Sequence, residues 1–292
     1  MASPAAPLAE PVEANWAAGH LDRSPPRMRK IMNQLRILWT FFRLGAMNEL
    51  AYRVNFFTQL FQAVMSLVLS LGGLAVVFNQ TDTLAGWRPA ELVALVGIYI
   101  LVGGLINLMI QPSMQRFMED IRMGTLDFMI LKPEDAQFLV SVRQVEIWKL
   151  IDIIMGLGVL VIALARLGAQ IGVMQALSFG VALLAGGTIV YSFWMILATC
   201  AFWFVKTENI LVIFQSMYQA GRWPITIYPG WLQMMLTFLV PIAFAVTVPA
   251  QALTGRLTSQ TLLLAILVAT GLFGAARWFW RFGIRFYAGA SA

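Results

Sequence analysis

Several runs of about 20 or more residues carry almost no charged side chain, and these runs constrain the fold more than any other feature of the sequence. Crossing a hydrocarbon layer about 30 Å thick takes about 20 helical residues. Of the 292 residues, 60% are hydrophobic and 12% are charged, whereas charged residues reach roughly 25% in soluble domains. The sequence therefore predicts an all-α polytopic membrane protein.

The apolar runs predict six transmembrane helices. We place them at about residues 54–78, 92–110, 147–165, the second part of 171–205, 209–227 and 259–277. The run 171–205 is too long for one straight span, so its second part is taken as span four.

A set of prolines between spans five and six argues against one straight helix there. They are Pro224, Pro229, Pro241 and Pro249, and Trp231 lies among them. We predict a broken pair of short re-entrant helices over 230–250, buried or lining a cavity, because irregular backbone at membrane depth needs such shielding. The alternative is a true span over 231–249, with 221–229 in the cytoplasm.

The amino-terminal part of the chain shows two patterns. Residues 1–27 are rich in Pro and Ala, and they predict a disordered cytoplasmic extension. Over 28–53, Ile31, Leu35, Leu38 and Phe42 recur at helical spacing among basic residues. This predicts an interfacial amphipathic helix on the anionic leaflet; the alternative is a soluble helix packed on a partner.

The distribution of basic residues predicts the orientation. With a cytoplasmic amino terminus, all but four of the 20 Lys and Arg residues lie on the inner side. The positive-inside bias then places both termini and the segment 111–146 in the cytoplasm. The excess of basic residues on the inner side accounts for the net charge of +6, so we expect no nucleic-acid partner.

The inner segment 111–146 predicts a short amphipathic helix. Its apolar residues follow the helical spacing i, i+3, i+4, i+7: Met114, Phe117, Met118 and Ile121. Ser113 can cap its start and Gly124 can end it, while Glu134 and Asp135 suit the first turn of a helix leading into span three. A rigid amphipathic helix held between two membrane helices can transmit a displacement. The alternative is a polar loop on the lipid surface.

A few polar residues lie inside the predicted spans. Gln59, Gln62 and Ser66 share one face of span one, and Asp152 lies in span three. A lone mid-helix Asp costs about 2.5 to 3.5 kcal/mol on insertion scales, so it needs a partner or water. These four residues are candidates for a translocation path. The alternatives are interhelical hydrogen bonds and an interfacial ion pair of Asp152 with Lys149.

Nothing in the sequence predicts chemistry within the chain. It has no Gly-x-x-x-x-Gly-Lys-Ser/Thr loop for nucleotide phosphates. Its single Cys200 and single His20 do not form a metal-ligand set. Its clustered acids alternate with Arg and Lys and lack histidine. We therefore expect no catalytic residue, no metal site and no cofactor in this chain.

Two stretches resemble the permeases of type-2 ABC exporters. The stretch from Asp120 to Pro133 resembles that family's Ile-Arg-x-Gly-x-Leu-Asp-x-x-Leu-Leu-x-Pro signature after span two, although Met129-Ile130 stands where leucines are more frequent. The later Trp223-Pro224, Tyr228 to Trp231 and Val240-Pro241 are similar to its pattern between spans five and six. The resemblance is nearest to a bacterial subgroup in which two permeases share one ATPase.

The resemblance implies a permease over 28–292 in the bacterial inner membrane, paired with a same or homologous chain and with an ABC ATPase dimer that holds the ATP and Mg. It assigns ATPase coupling to the inner loop, and the residues concerned are Arg116, Glu119, Asp120, Arg122, Gly124, Leu126, Asp127, Lys132 and Pro133. Two other functions stay open: a membrane enzyme acting on lipid-like substrates, and an ATP-independent carrier.

Overall fold

The computed structural model describes residues 26–50, 53–168, 172–204 and 208–287. Within these ranges the chain forms helices and no β-strand. In chain order the α-helices are α1 Pro26–Leu50, α2 Arg53–Phe78, α3 Pro89–Leu105, α4 Gln111–Met123, α5 Asp127–Ile130, α6 Ala136–Ser141, α7 Leu150–Leu167, α8 Val173–Thr199, α9 Glu208–Tyr218, α10 Gly230–Met234, α11 Val248–Leu253 and α12 Ser259–Gly283.

Five helical stretches are long and apolar enough to cross a membrane. They are Phe56–Phe78, Pro89–Met123, Ile147–Leu167, Val173–Phe202 and Ser259–Phe286. A sixth candidate consists of two shorter helical arms, Gly230–Leu239 and Ala243–Leu253, which meet at 83°. The prediction of an all-α polytopic membrane protein is confirmed.

The amino-terminal helix predicted over 28–53 is observed as α1, Pro26–Leu50. The chain divides into two compact units between Thr40 and Phe41, and the site described below lies wholly in the second. The predicted extension over 1–27, with His20, lies almost entirely outside the described residues. Whether α1 lies in the headgroup layer stays a prediction.

Span four differs from its prediction. Instead of occupying the second part of 171–205, one helical stretch runs the full 30 residues from Val173 to Phe202. No proline interrupts it. At about 1.5 Å per residue it is longer than a hydrocarbon layer, and helices of such length are accommodated by tilting.

The prediction of a continuous span over 209–227 is wrong. Helix α9 ends at Tyr218, and the chain continues as 3-10 turns at Gln219–Arg222 and Ile225–Ile227. Trp223 between these turns is extended, because a residue before proline avoids the helical conformation. The sixth membrane candidate of the structure is instead the bent pair that follows.

The bent pair matches the broken short helices predicted over 230–250. Pro241 lies at the break, directly after the extended Val240. Every residue from Val240 to Ala250 is buried, as predicted, whereas the first arm is largely exposed and Trp231 keeps 69% of its surface. Pro224 is buried, and Pro229 forms the exposed N-cap of α10. The burial expectation thus holds for the second arm alone.

The predicted amphipathic helix of the inner segment is joined to span two without a break. A π-helical turn, Ile106–Ile110, connects α3 to α4. Gly124 ends α4 with φ of 68°, as predicted. The cap assigned to Ser113 is wrong, because Ser113 is buried inside the continuous helix and bonds to Gln144. Asp135 caps α6 instead, and the extended residue Glu146 separates α6 from α7.

Helices α3 and α7 pack with their backbones in contact. A Cβ atom added to Gly156 would lie 2.5 Å from the Leu101 backbone nitrogen and 2.9 Å from the Gly97 carbonyl oxygen. Small residues allow this approach between membrane helices. A separate cluster of buried apolar residues joins α8, α11 and α12.

We predict that Gly156→Ala lowers the free energy of unfolding by about 1 to 3 kcal/mol, because the added methyl overpacks the α3–α7 contact. Gly158→Ala is the matched control on the same helix, since nothing lies within 4 Å of a Cβ atom there. Denaturant-induced unfolding in detergent micelles measures both. Equal stability of the two variants would contradict this account of the contact.

An ion pair fixes the connection from α2 to α3 against the turn before α12. Arg256 Nη2 lies 2.7 Å from Glu91 Oε2, and its Nε donates to Oε1 at 3.1 Å. The same Nη2 donates to the Gly86 carbonyl at 2.7 Å, and the guanidinium lies 5.1 Å from the Trp87 ring centroid. Glu91 and Trp87 are buried, so this clamp joins segments far apart in sequence.

Candidate functional site

The segment between α4 and α7, residues 124–149, is here called the α4–α7 connection. Hydrogen bonds join its carboxyl-terminal end to α4 and to the π-helical turn. Ser113 Oγ donates to the Gln144 carbonyl at 2.9 Å and accepts the Gln144 N–H at 3.1 Å. The Glu146 N–H donates to the Leu108 carbonyl at 2.8 Å, within the π-helical turn. The end of the connection is thereby held against the helix from which it starts.

A buried carboxylate closes the base of the connection. Asp120 is fully buried and forms an ion pair with Arg143. Thr125 Oγ1 donates to Asp120 Oδ1 at 2.8 Å, and Arg116 Nε lies 3.4 Å from the same atom. A buried charge persists when it is paired and hydrogen-bonded in this way. Asp120, predicted as a contact for an ATPase, thus has its bonds inside the protein.

A second set of contacts fixes the connection to α12 and α8. Arg277 Nη1 donates to Asp135 Oδ1 at 2.9 Å and to Gln137 Oε1 at 2.6 Å. The hydrogen bonds from Arg277 lower the pKa of the Asp135 carboxyl below its ordinary value. Ser141 Oγ lies 2.8 Å from the Tyr191 hydroxyl of α8. The connection is therefore fastened at its base and at its side.

One stretch of the connection projects from this framework. Leu131 keeps 82% of its surface and Phe128 keeps 70%, while Leu126 and Met129 anchor the stretch from below. We define the exposed tip by the accessible residues of this stretch and of the end of α4: Arg122, Met123, Phe128, Ile130, Leu131, Lys132 and Pro133.

The residues predicted for coupling fall into three groups. Arg122, Lys132 and Pro133 lie on the exposed tip; Arg116, Glu119, Gly124 and Asp127 are half-buried; Asp120 and Leu126 are buried. Arg116 and Glu119 pair with each other at 2.9 Å. Sequence reasoning missed Phe128 and Leu131 as tip residues; the available signal was their apolar character in a polar segment beyond the end of the helix.

A polar cavity of about 300 Å³ lies among α2, α3, the π-helical turn, the first turns of α4 and α7, and α9. Ser66 and Asp152, both predicted for a path, line it, and Gln59 and Gln62 do not. The remaining polar side chains of the lining are amides and tyrosines: Asn107, Gln111, Gln215, Gln219, Tyr99 and Tyr218.

The ion pair expected between Lys149 and Asp152 is not formed. Lys149 Nζ donates to Gln59 Oε1 at 2.9 Å. No ion pair within 4 Å joins Lys149 to Asp152 among the described residues. The partner of the Lys149 ammonium is therefore Gln59 on α2, which helical spacing within span three could not identify.

The polar cavity is lined by the helices that flank the connection, not by the connection itself. Asn107 belongs to the π-helical turn and Gln111 begins α4, so both lie on the helix that carries Asp120 and Gly124. Asp152 lies in the first turn of α7, just after the residues tied to Leu108 and Ser113. Across the described ranges, no group of three or more His, Cys, Asp or Glu side chains could hold a metal ion.

Comparison with known protein families gives a match over most of the chain. Residues 64–291 match the family described as ABC-2 family transporter protein. No curated protein and no solved structure matches the chain. The matched range contains the π-helical turn, the α4–α7 connection, the bent pair and α12. The chain therefore belongs to the ABC-2 transporter family, as a permease-type membrane component.

Proposed function

We propose that the chain is the permease subunit of an ATP-driven exporter in the bacterial inner membrane. It works as a dimer with a same or homologous chain and is driven by an ABC ATPase dimer. The positive-inside bias supports cytoplasmic termini and a cytoplasmic α4–α7 connection. ATP and Mg act in the partner ATPase, and the residues of this chain bind, couple and move.

The exposed tip is the observation that carries this proposal. The most exposed apolar side chains of the tip, Phe128 and Leu131, lie next to the basic Lys132. Apolar anchors within a polar rim are typical of protein contact sites. The rest of the connection is fixed internally, which supports a role in transmitting force rather than in yielding to it.

The contacts at the base supply a route for coupling. When the ATPase dimer closes on ATP, it displaces the tip. Because the ion pair of Arg143 with Asp120 holds the connection against α4, the displacement passes into the α3–α4 helix and α7 instead of being absorbed in the loop. Both helices line the polar cavity, so its shape changes with the nucleotide state. This is a population shift between two conformations, biased by ATP.

The test is a double substitution at the tip. We expect the variant Phe128→Asp with Leu131→Asp to fold and insert, because both side chains are exposed. We expect at least tenfold less ATPase subunit to co-purify with it, because charges replace the apolar anchors. The tagged protein is purified from its native membranes, a Walker-motif ATPase is identified by mass spectrometry, and ATP turnover is measured.

Val173→Asp is the control. Val173 is 79% exposed at the first position of α8, where a carboxylate suits the helix dipole. We expect it to retain the ATPase. The proposal fails if no such ATPase accompanies the unmodified protein, or if the tip variant keeps the ATPase and its turnover.

A further inference from the structure

The polar cavity contains a carboxylate without a bonded counter-charge. Asp152 forms no hydrogen bond and no ion pair with any residue in the described part of the chain, and the nearby Lys149 ammonium is bonded to Gln59. Asp152 lies six residues into the candidate span Ile147–Leu167. Charged residues in such segments are costly and commonly mark a substrate or ion pathway.

The other polar side chains of the lining are uncharged, and Ile100, Ile106 and Phe214 add an apolar part. Ser66 lies on α2, and Asn107 and Gln111 lie on the α3–α4 helix. Gln215 lies on α9, and Gln219 begins the turn after it. Their hydroxyl and amide groups donate and accept hydrogen bonds without adding charge. Asp152 is thus the one acidic or basic side chain among the lining residues.

Two tyrosines complete the wall. The rings of Tyr99 and Tyr218 stack with centroids 4.9 Å apart, and the Tyr218 hydroxyl donates to the Tyr99 carbonyl. Aromatic faces near a carboxylate favour an organic cation. Arg222 lies 5.6 Å from the Tyr99 ring centroid but does not line the cavity.

We propose that this cavity binds an organic cation with an ammonium group, for which Asp152 is the counter-charge. The volume of about 300 Å³ is at the lower end of the range for small-ligand sites. The inference rests on the proposed function, because it takes this cation to be the cargo. Residues of the α3–α4 helix and of α7 line its site, and ATP-driven displacement of the tip would move both helices.

The test is a binding measurement on the full-length protein in neutral detergent micelles, without any ATPase. Choline is the cationic probe, and 3,3-dimethylbutan-1-ol is its neutral isostere. Isothermal titration calorimetry should show choline binding at least tenfold more tightly than the alcohol. Asp152→Asn should weaken choline binding at least tenfold, and Asp152→Glu should keep it within a few-fold.

Asp82→Asn is the matched control, since it makes the same chemical change at an exposed turn, and it should bind choline as the unmodified protein does. Thermal unfolding confirms that each variant is folded. A trimethylammonium lipid added to the micelles separates the two sources of such a cation. Choline binding assigns the site to a soluble cation, whereas lipid binding alone, lost in Asp152→Asn, assigns it to a lipid headgroup.

The inference is overturned if neither cation binds, if the neutral alcohol binds as tightly as choline, or if Asp152→Asn leaves binding unchanged. Because no ATPase is present in this assay, a failure here leaves the coupling test at the tip unaffected. Conversely, loss of ATPase contact in the tip variant does not alter choline binding to the isolated permease.

Discussion

Arg143→Met is expected to lower the free energy of unfolding by about 3 to 5 kcal/mol, because it leaves the fully buried Asp120 carboxylate without its ion-pair partner. Thr125 and Arg116 still contact that carboxylate, which favours the lower end of this range. Denaturant-induced unfolding in detergent micelles measures the change. ATP turnover of the assembled transporter should fall as well, since the base of the connection opens.

The double variant Asp120→Leu with Arg143→Met separates charge burial from loss of contact. Replacing a buried ion pair by apolar side chains of similar size is often close to neutral, so we expect most of the stability to return. Arg116→Met is the control: its side chain is 38% exposed and its Nε lies 3.4 Å from Asp120 Oδ1, so we expect a smaller loss, about 1 kcal/mol. A double variant no more stable than Arg143→Met would refute the assignment.

Arg256→Met is expected to cost about 3 kcal/mol, because two charge-assisted hydrogen bonds to the buried Glu91 are lost together. The Arg88 backbone N–H still donates to Glu91 at 2.8 Å, which limits the loss. The contact of the guanidinium with the Trp87 ring also disappears. Thermal unfolding in the same detergent measures the effect.

Arg88→Met provides the comparison. The exposed Arg88 holds Glu91 through its backbone, not its side chain, so we expect a change within about 0.5 kcal/mol. Arg256→Lys should fall between the two, since an ammonium cannot bind the carboxylate in the bidentate manner of a guanidinium. If Arg88→Met proved as destabilising as Arg256→Met, surface charge in this region would matter more than the clamp.

Spans one, two, three and six could be predicted from the sequence because membrane insertion depends on local composition, which a run of apolar residues carries in full. The end of α4 at Gly124 was predictable for the same reason: a left-handed residue follows a helix, and glycine adopts it freely. Both features depend on neighbours in the chain.

Other features depend on contacts distant in sequence, which one sequence does not reveal. Ser113 has the chemistry of a helix cap, but its partner Gln144 lies 31 residues further on. Asp120 has the sequence pattern of a surface charge, but it is paired with Arg143, 23 residues further on. Lys149 bonded to Gln59, 90 residues away, in preference to its helical neighbour Asp152. Hydropathy likewise favoured a straight span over 209–227, where the conformation before Pro224 prevailed.

The π-helical turn at Ile106–Ile110 gives the long helix a defined place for axial rotation. A wide turn holds one surplus residue, and adjacent turns can exchange that residue while the backbone hydrogen bonds re-form one after another. Since each α-helical residue turns the chain by about 100°, such an exchange would re-aim Asn107 and Gln111 around the axis without unwinding the helix. Torsion, rather than bending, would then be the motion that opens or closes the space they border.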